Sequence, residues 1–425
     1  MVRICRFPGI VITGAGVVSP LGVGAGDAIA EIRAGRTGLG PLETFALEGA
    51  AAGEAPPFDL RSRLKNPKSE KLMSRTTRLA MYAASDAIRG AGVDFESMDR
   101  ERVGLQVASG NTGIDYDEFL PAFQLAWRGE PEADFGKLGG RASKLVDAYF
   151  SLRSLSNAGV GLLAAEHDLR GPSNNFVQEG AASAWALATA AFDLQEGRAD
   201  AVLAGGYDSL IVKAAYLGFT EQGLLASDGV MSPFGAAGSG LTLGEGSAFF
   251  LVESLGQARS RGTSPLASIE AFVGRAQAPG EDWVSDGLPV LEADLSSAFE
   301  AGLKPDYVIA NGLSLPDRDC AEAAMLSRLG VAPERVSAWK GWTGYLGGAS
   351  LAVELALSLA AVSEGFLPSP LAGGAPDAAL ALGPLSTGPI PVGELRPLIL
   401  FLAGSLSGQA CALWCRAGDP GGEGA

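Results

Sequence analysis

One histidine, His167, and four cysteines, Cys5, Cys320, Cys411 and Cys415, supply every imidazole and thiol in a chain of 425 residues. None of them falls in Gly171–Ser209, the stretch whose layout invites a nucleophile. A Gly171-Pro172 turn opens that stretch, and Asn174–Gln178 reads as extended. Gly180–Glu196 is rich in Ala and Leu and predicts a buried helix, which Gly197 closes. Ala201–Ala204, ending in Gly205-Gly206, reads as a strand. Strand, sharp corner, helix and strand is an arrangement in which a helix N-terminus stabilises negative charge on a reacting group. The residue at this corner is Gly180, which has no side chain to react.

The neighbours do not replace it. Gln178 and Glu179 precede the corner, and Ser183 lies one helical turn inside. A helix-interior Ser without an adjacent base is a packing or hydrogen-bonding residue. His167, between Glu166 and Asp168 at the end of a predicted helix over Asn157–Leu169, reads as a surface residue. Cys411 and Cys415 stand four apart in an apolar run and read as core packing. No metal-ligand set and no cofactor motif is expected. GAGVVSPLG after the strand Ile10–Thr13 has Ser19 where a dinucleotide fingerprint needs its third glycine, and Pro20 follows. Ser232–Gly246 is glycine-rich but lacks the Gly-Lys-Ser/Thr of a phosphate loop.

Composition narrows the function classes. Hydrophobic residues make up 47% and charged residues 19%, enough for a large buried core. A formal net charge of −16 disfavours nucleic acid and anionic membrane as partners. Sparse, unevenly spaced cysteines fit a reduced cytoplasmic protein. The N-terminal run is broken by Pro8 and Gly9 and lacks a signal-peptide core. The most apolar helix, Leu346–Val362, contains Glu354 and is too short for a comfortable membrane span.

The elements predict a duplication. In the first half, a helix over Lys71–Gly90 and the strands Val103–Ala108 and Ser247–Val252 accompany those above. From about Leu255 the alternation restarts: strand Ala267–Val273, helix Leu291–Ala301, strand Tyr307–Ala310, helix Cys320–Leu329, strand Val336–Trp339, helix Leu346–Val362. Leu398–Ala403 and Gln409–Trp414 read as a closing strand pair, and Gly418–Ala425 as a loose tail. Alternating strands and helices imply a parallel-rich sheet in each half. Helices near Gly180 and Leu346, apolar nearly all round, suit a position between two sheets.

These landmarks resemble the β-ketoacyl-ACP synthase family across nearly the whole chain. VITGAGVVSPLG (Val11–Gly22) is similar to the family's opening strand and turn, and EGRADAVLAGGYDS (Glu196–Ser209) to its central strand. LTLGEGSAFFLVE (Leu241–Glu253) is similar to the glycine-rich turn and strand that follow. NGLSLPDRDCAEAAML (Asn311–Leu326) resembles the H-G-T-x-T-P-x-x-D-x-x-E-A-A stretch, with Asp319 and Glu322 at its acidic positions. KGWTGYLGGASLAVE (Lys340–Glu354) resembles K-x-x-x-G-H-x-x-G-A-A-G-x-x-E. The resemblance implies a thiolase-like duplicated α/β fold, layered α-β-α-β-α with two parallel-rich five-stranded mixed sheets. It divides the chain into an N-terminal half over 1–254 and a C-terminal half over 255–425.

The family's chemistry uses a Cys thiolate that takes up the acyl chain and two His residues that serve decarboxylation and condensation. By position, the Cys falls on Gly180, one His on Asn311 and the other on Tyr345, while the Lys partner is kept as Lys340. The glycine-rich gating loop is degenerate here, around Ala403–Gln409. With one His in the chain, a two-imidazole mechanism is impossible within it. The resemblance therefore implies a non-catalytic subunit similar to a chain-length factor, without cofactor or metal. It would pair with an active ketosynthase across a shared sheet edge and line a common acyl tunnel. Acyl carrier protein would be met indirectly, through the partner. On that expectation Ala181→Phe, beside the corner, would shorten the partner's product. Two alternatives stay open: a synthase or malonyl-ACP decarboxylase working through Tyr345, Asn311 and Lys340, and a homodimeric scaffold or binding protein.

Overall fold

The computed structural model describes residues 4–110, 116–127, 132, 134–140, 142–276, 284 and 287–420. The last five residues of the Gly418–Ala425 tail lie outside this set. The first half lays down β1 (Ile10–Ser19), α1 (Arg75–Ala91), β2 (Val103–Ser109), α2 (Ala158–His167), β3 (Ser173–Phe176), α3 (Ala182–Gln195), β4 (Ala201–Ser209) and β5 (Glu245–Ser254). The second half repeats the order with β6 (Ala267–Ala276), α4 (Leu288–Ala298), β7 (Tyr307–Ile309), α5 (Pro316–Arg328), β8 (Val336–Ser337), α6 (Ser350–Ser363), β9 (Leu398–Gly404) and β10 (Gln409–Ala417).

The hydrogen-bonded path runs β8-β7-β9-β10-β6-β1-β5-β4-β2-β3, so the two halves mirror one another about the β6–β1 junction. Each half has two parallel pairings at its outer end and two antiparallel pairings toward the junction. The two five-stranded sheets are thus joined rather than separate. The junction is narrow: Ala267 pairs with Ile12, and Ser268 with Val11.

Three apolar layers hold the stack. Along β9, Ile399, Phe401 and Ala403 join the central core, whereas Leu398, Leu400 and Leu402 join the core under α4 and α5. That two-residue alternation, apolar on both faces, marks a strand covered on both sides. The third core lies under α1 and α2. In the centre, α3 and α6 bury residues on every side, as their lack of a polar face predicts.

Glycine placement corrects two boundaries. β1 runs on through Gly14 and Gly16 to Ser19 where a turn was expected, and β4 runs through Gly205-Gly206 to Ser209. A Cβ at Gly14 or Gly16 would strike the carbonyl oxygens of Ala87 or Ala83 on α1. These glycines allow helix and strand backbones to touch, a use of strand glycine that local propensity cannot distinguish from a turn. Another correction concerns His167. It is half-buried rather than a surface residue, and among the described residues its Nε2 is enclosed without a hydrogen-bond partner. The segment around Lys65 packs over this end of α2: the Lys65 amide donates to Glu166 Oε1, and Arg100 Nη1 donates to the His167 carbonyl at 3.5 Å. That cover comes from about a hundred residues away, out of reach of local pattern.

Candidate active-site corner

The chain reaches the corner from β3, which lies at one end of the sheet, and leaves it along α3. Glu179, Gly180 and Ala181 form a single tight turn before the helix proper. Glu179 adopts φ +48, a left-handed conformation uncommon for a side chain of its size. Gly180 is buried, and a Cβ built on it would lie less than 3.0 Å from the carbonyl oxygen of Gly404, at the end of β9. The same Cβ would stand 3.7 Å from the ring of Tyr345. A Cβ on Gly404 would in turn lie 3.4 Å from the side-chain Nδ2 of Asn311. The structure therefore brings Gly180, Asn311 and Tyr345 to one point, although they are distant in sequence.

Asn311 is held through its backbone. Its amide donates to Glu322 Oε1 at 2.8 Å, and its carbonyl accepts from Lys340 Nζ at 2.6 Å. Lys340 Nζ also donates to Glu354 Oε1 at 2.7 Å. The second Glu322 oxygen accepts from the Gly312 amide at 3.0 Å. Asp319 gathers the next turn: its carboxylate accepts from the amides of Leu313, Ser314 and Phe234 at 2.8, 3.0 and 2.8 Å. Asp319 and Glu322 thus serve as backbone acceptors that shape the turn after β7. Burial pushes both carboxyls upward, Asp319 to about 7.

Tyr345 is anchored by its backbone, its amide donating to the Thr242 carbonyl at 2.8 Å and its carbonyl accepting from the Gly244 amide at 2.9 Å. Its hydroxyl is enclosed beside the Gly180 amide, and among the described residues neither it nor Oδ1 of Asn311 makes a hydrogen bond of ordinary geometry. Burial raises the phenol well above its ordinary range, so it is a neutral donor and not a base. Ser183 donates its hydroxyl to the Gly348 carbonyl, tying α3 to the turn before α6. That bond gives it a structural role. Ala181 is fully buried in the central core, and its carbonyl lies 3.8 Å from Cys411 Sγ. It packs within that core, so a larger side chain there would have to make its own room. Burial also raises the thiols of Cys411 and Cys415.

Two carboxylates near the corner went unremarked in the sequence. Asp208, at the end of β4, accepts from the Gly348 amide at 2.9 Å. Glu245 forms a charged pair with Arg75 and accepts from the Ala55 amide at 2.9 Å. Only their position at strand ends, Asp208 two residues after Gly206 and Glu245 between Gly244 and Gly246, hinted at such service.

Away from the corner, the helix Tyr116–Ala126 carries an aromatic run. Phe123 stacks on Trp127 with ring centroids 4.6 Å apart, and Phe119 on Phe150 at 5.5 Å. Tyr116, Phe123 and Trp127 are exposed, as is Phe135 on the next short helix. Among the described residues no group of three His, Cys, Asp or Glu is arranged to hold a metal ion, and no helix is long and apolar enough to cross a membrane.

Comparison with known proteins agrees with this architecture. The family described as Beta-ketoacyl synthase, N-terminal domain, matches residues 8–258. The Tetracenomycin polyketide synthase ketoacyl synthase beta subunit of Streptomyces glaucescens is 27% identical over 387 residues, covering 88% of this chain and 90% of that protein. Nodulation protein E of Rhizobium sp. (strain N33) is 29% identical over 372 residues, covering 84% and 87%. Among solved structures, one described as the ishigamide ketosynthase/chain length factor superposes with a TM-score of 0.81 at 22% identity, over 98% of this chain and 100% of that one. The corner, the duplicated sheet and these matches agree that the chain belongs to the beta-ketoacyl synthase family.

Proposed function

We propose that this chain is a non-catalytic, ketosynthase-like subunit that pairs with an active β-ketoacyl-ACP synthase and helps set the length of its product. The observation that carries this reading is the corner itself: Gly180 stands where the family nucleophile would, and a backbone carbonyl fills the space beside it. Asn311 and Tyr345 stand at the places of the family imidazoles. The chain's one His lies at the C-terminal end of α2, the helix that packs with α1 over the third core. The relatives support the same class, since one is named a ketoacyl synthase beta subunit and one structural neighbour a ketosynthase/chain length factor. The division into halves 1–254 and 255–425 belongs to this reading, supported by the repeated strand order.

Partner chemistry follows from two exposed features. β3 is the outermost strand of its half, with Ser173 and Asn174 exposed, and can take another strand along its edge. Tyr116, Phe123 and Trp127 on the Tyr116–Ala126 helix expose aromatic surface that a partner can cover. A carrier protein, itself acidic, would be repelled by a chain of net charge −16 and would dock through the partner.

Co-expression with a ketosynthase bearing an intact Cys and two His tests this. The expected result is a one-to-one complex on native mass spectrometry and a product length that changes when this chain is exchanged. A stable homodimer that ignores every ketosynthase favours the scaffold reading. Release of CO2 from malonyl-ACP by the isolated chain, abolished by Tyr345→Phe, favours the decarboxylase. An acyl adduct on the isolated chain overturns the non-catalytic reading.

A further inference from the structure

The segment that follows β9 folds back over the corner and is held there from three directions. The Leu406 amide donates to Glu179 Oε2 at 2.7 Å, and the Leu406 carbonyl accepts from Arg318 Nη2 at 3.4 Å. The Leu406 side chain packs with the cluster that contains Tyr345 and Leu313. Within the segment, the Ser405 amide donates to the Gln409 carbonyl at 2.8 Å, and the Gln409 amide returns a bond to Ser405 Oγ at 2.8 Å. Gly408, at φ +93, makes the reversal. Closure has a steric condition: with the Gly404 oxygen less than 3.0 Å from the Cβ position, it demands glycine at 180. Glu179 meets the segment from a left-handed backbone, a strained conformation that persists only where surroundings fix it.

We propose that Gly404–Gly408 is a latch fixed shut over this subunit's own corner, held by two adjacent residues. Gly180 leaves the space that the Gly404 carbonyl fills, and the Glu179 carboxylate fastens the Leu406 amide. The consequence is that no acyl thioester enters the corner of this chain, and a growing acyl chain stays on the partner's side. The identity of that ligand rests on the function proposed above; the latch itself does not.

Hydrogen exchange on the isolated full-length chain reads the latch directly. Glu179→Ala and Gly180→Ala are each expected to speed exchange of the Leu406 amide about tenfold or more, since loss of a charge-assisted bond or a forced displacement opens the segment. Glu179→Gln, which keeps an acceptor, should recover most of the protection. Amides of β4 and β5 should stay protected in all three, which separates opening from unfolding. For a variant that does not fold, the second measurement is alkylation of Ser405→Cys in the otherwise unaltered chain. That buried position is expected to react at least about tenfold more slowly than the exposed Cys320. Leu406 exchange unchanged in Glu179→Ala and Gly180→Ala, or Ser405→Cys as reactive as Cys320, would overturn the latch. Neither result bears on pairing with a ketosynthase, which the co-expression experiment reads on its own.

Discussion

The ammonium of Lys340 and the carboxylate of Glu354 meet at 2.7 Å with both side chains 2% exposed. They join the start of the turn before α6 to α6 itself, and through the Asn311 carbonyl they reach the turn after β7. Burial raises the Glu354 carboxyl, and the Lys340 charge opposes that rise. A pair this enclosed is costly to break from one side, because the remaining charge keeps its desolvation penalty.

Lys340→Met should therefore destabilise the chain by about 3–5 kcal/mol, read from the urea midpoint. The double variant Lys340→Met with Glu354→Leu should recover much of that loss. Equal losses in the single and double variants would count against an uncompensated charge as the cause.

Asp319 holds three amides from two segments of chain. Asp319→Ala should cost roughly 2–4 kcal/mol, since each buried amide left without an acceptor adds to the penalty. Exchange should quicken at Leu313, Ser314 and Phe234 together. A local effect at only one of them would show that the carboxylate is not their common anchor.

The single histidine makes acid behaviour unusually easy to follow. Burial, with the Lys65 charge as the smaller cause, lowers His167 from 6.5 to about 4. Its unfolded form takes up a proton first as pH falls. Its contribution to stability is full above about 6.5 and is lost as pH drops toward 4, roughly 3 kcal/mol across that window. The buried carboxyls Asp319, Glu322 and Glu354 are raised and act with the opposite sign: their contribution is lost as pH rises through their folded values. The imidazole resonance of the untagged chain should titrate near 4; a midpoint near 6.5 would contradict the burial argument.

Ala181→Phe places a large ring in a filled core and should cost about 1–3 kcal/mol or more through overpacking. Compared at equal amounts of folded complex, product length should not change. A shortened product with unchanged melting temperature would restore a channel beside Ala181.

The aromatic surface offers a direct test of pairing. Phe123→Glu with Trp127→Glu places two charges on exposed rings and should leave the isolated chain folded. Co-purification with a ketosynthase should fall at least about tenfold if these rings sit in the interface core. Unchanged recovery would move the interface elsewhere.

Much of the fold was legible because its signals are local and periodic. The apolar runs at Val103–Ala108 and Leu398–Ala403, and the all-round apolar helices after Gly180 and Leu346, follow from side-chain alternation and helix propensity. The misreadings share a cause. Gly14, Gly16, Gly205 and Gly206 look like turn residues, yet each lies in a strand that a helix or neighbouring strand approaches. His167 looks exposed between two acids, yet the segment around Lys65 covers it. Contacts made across a hundred residues leave no trace in the spacing of either partner.

Composition alone counts one imidazole, and the resemblance sets Gly180 at the corner where the family carries its thiol. Nothing local could reveal what took the empty place. Glu179 and Leu406 stand 227 residues apart, and only the return of β9 beside the Glu179–Ala181 turn brings the Gly404 carbonyl against Gly180. A backbone oxygen carries no residue identity, so its approach is decided by packing of the two halves and is written in no motif.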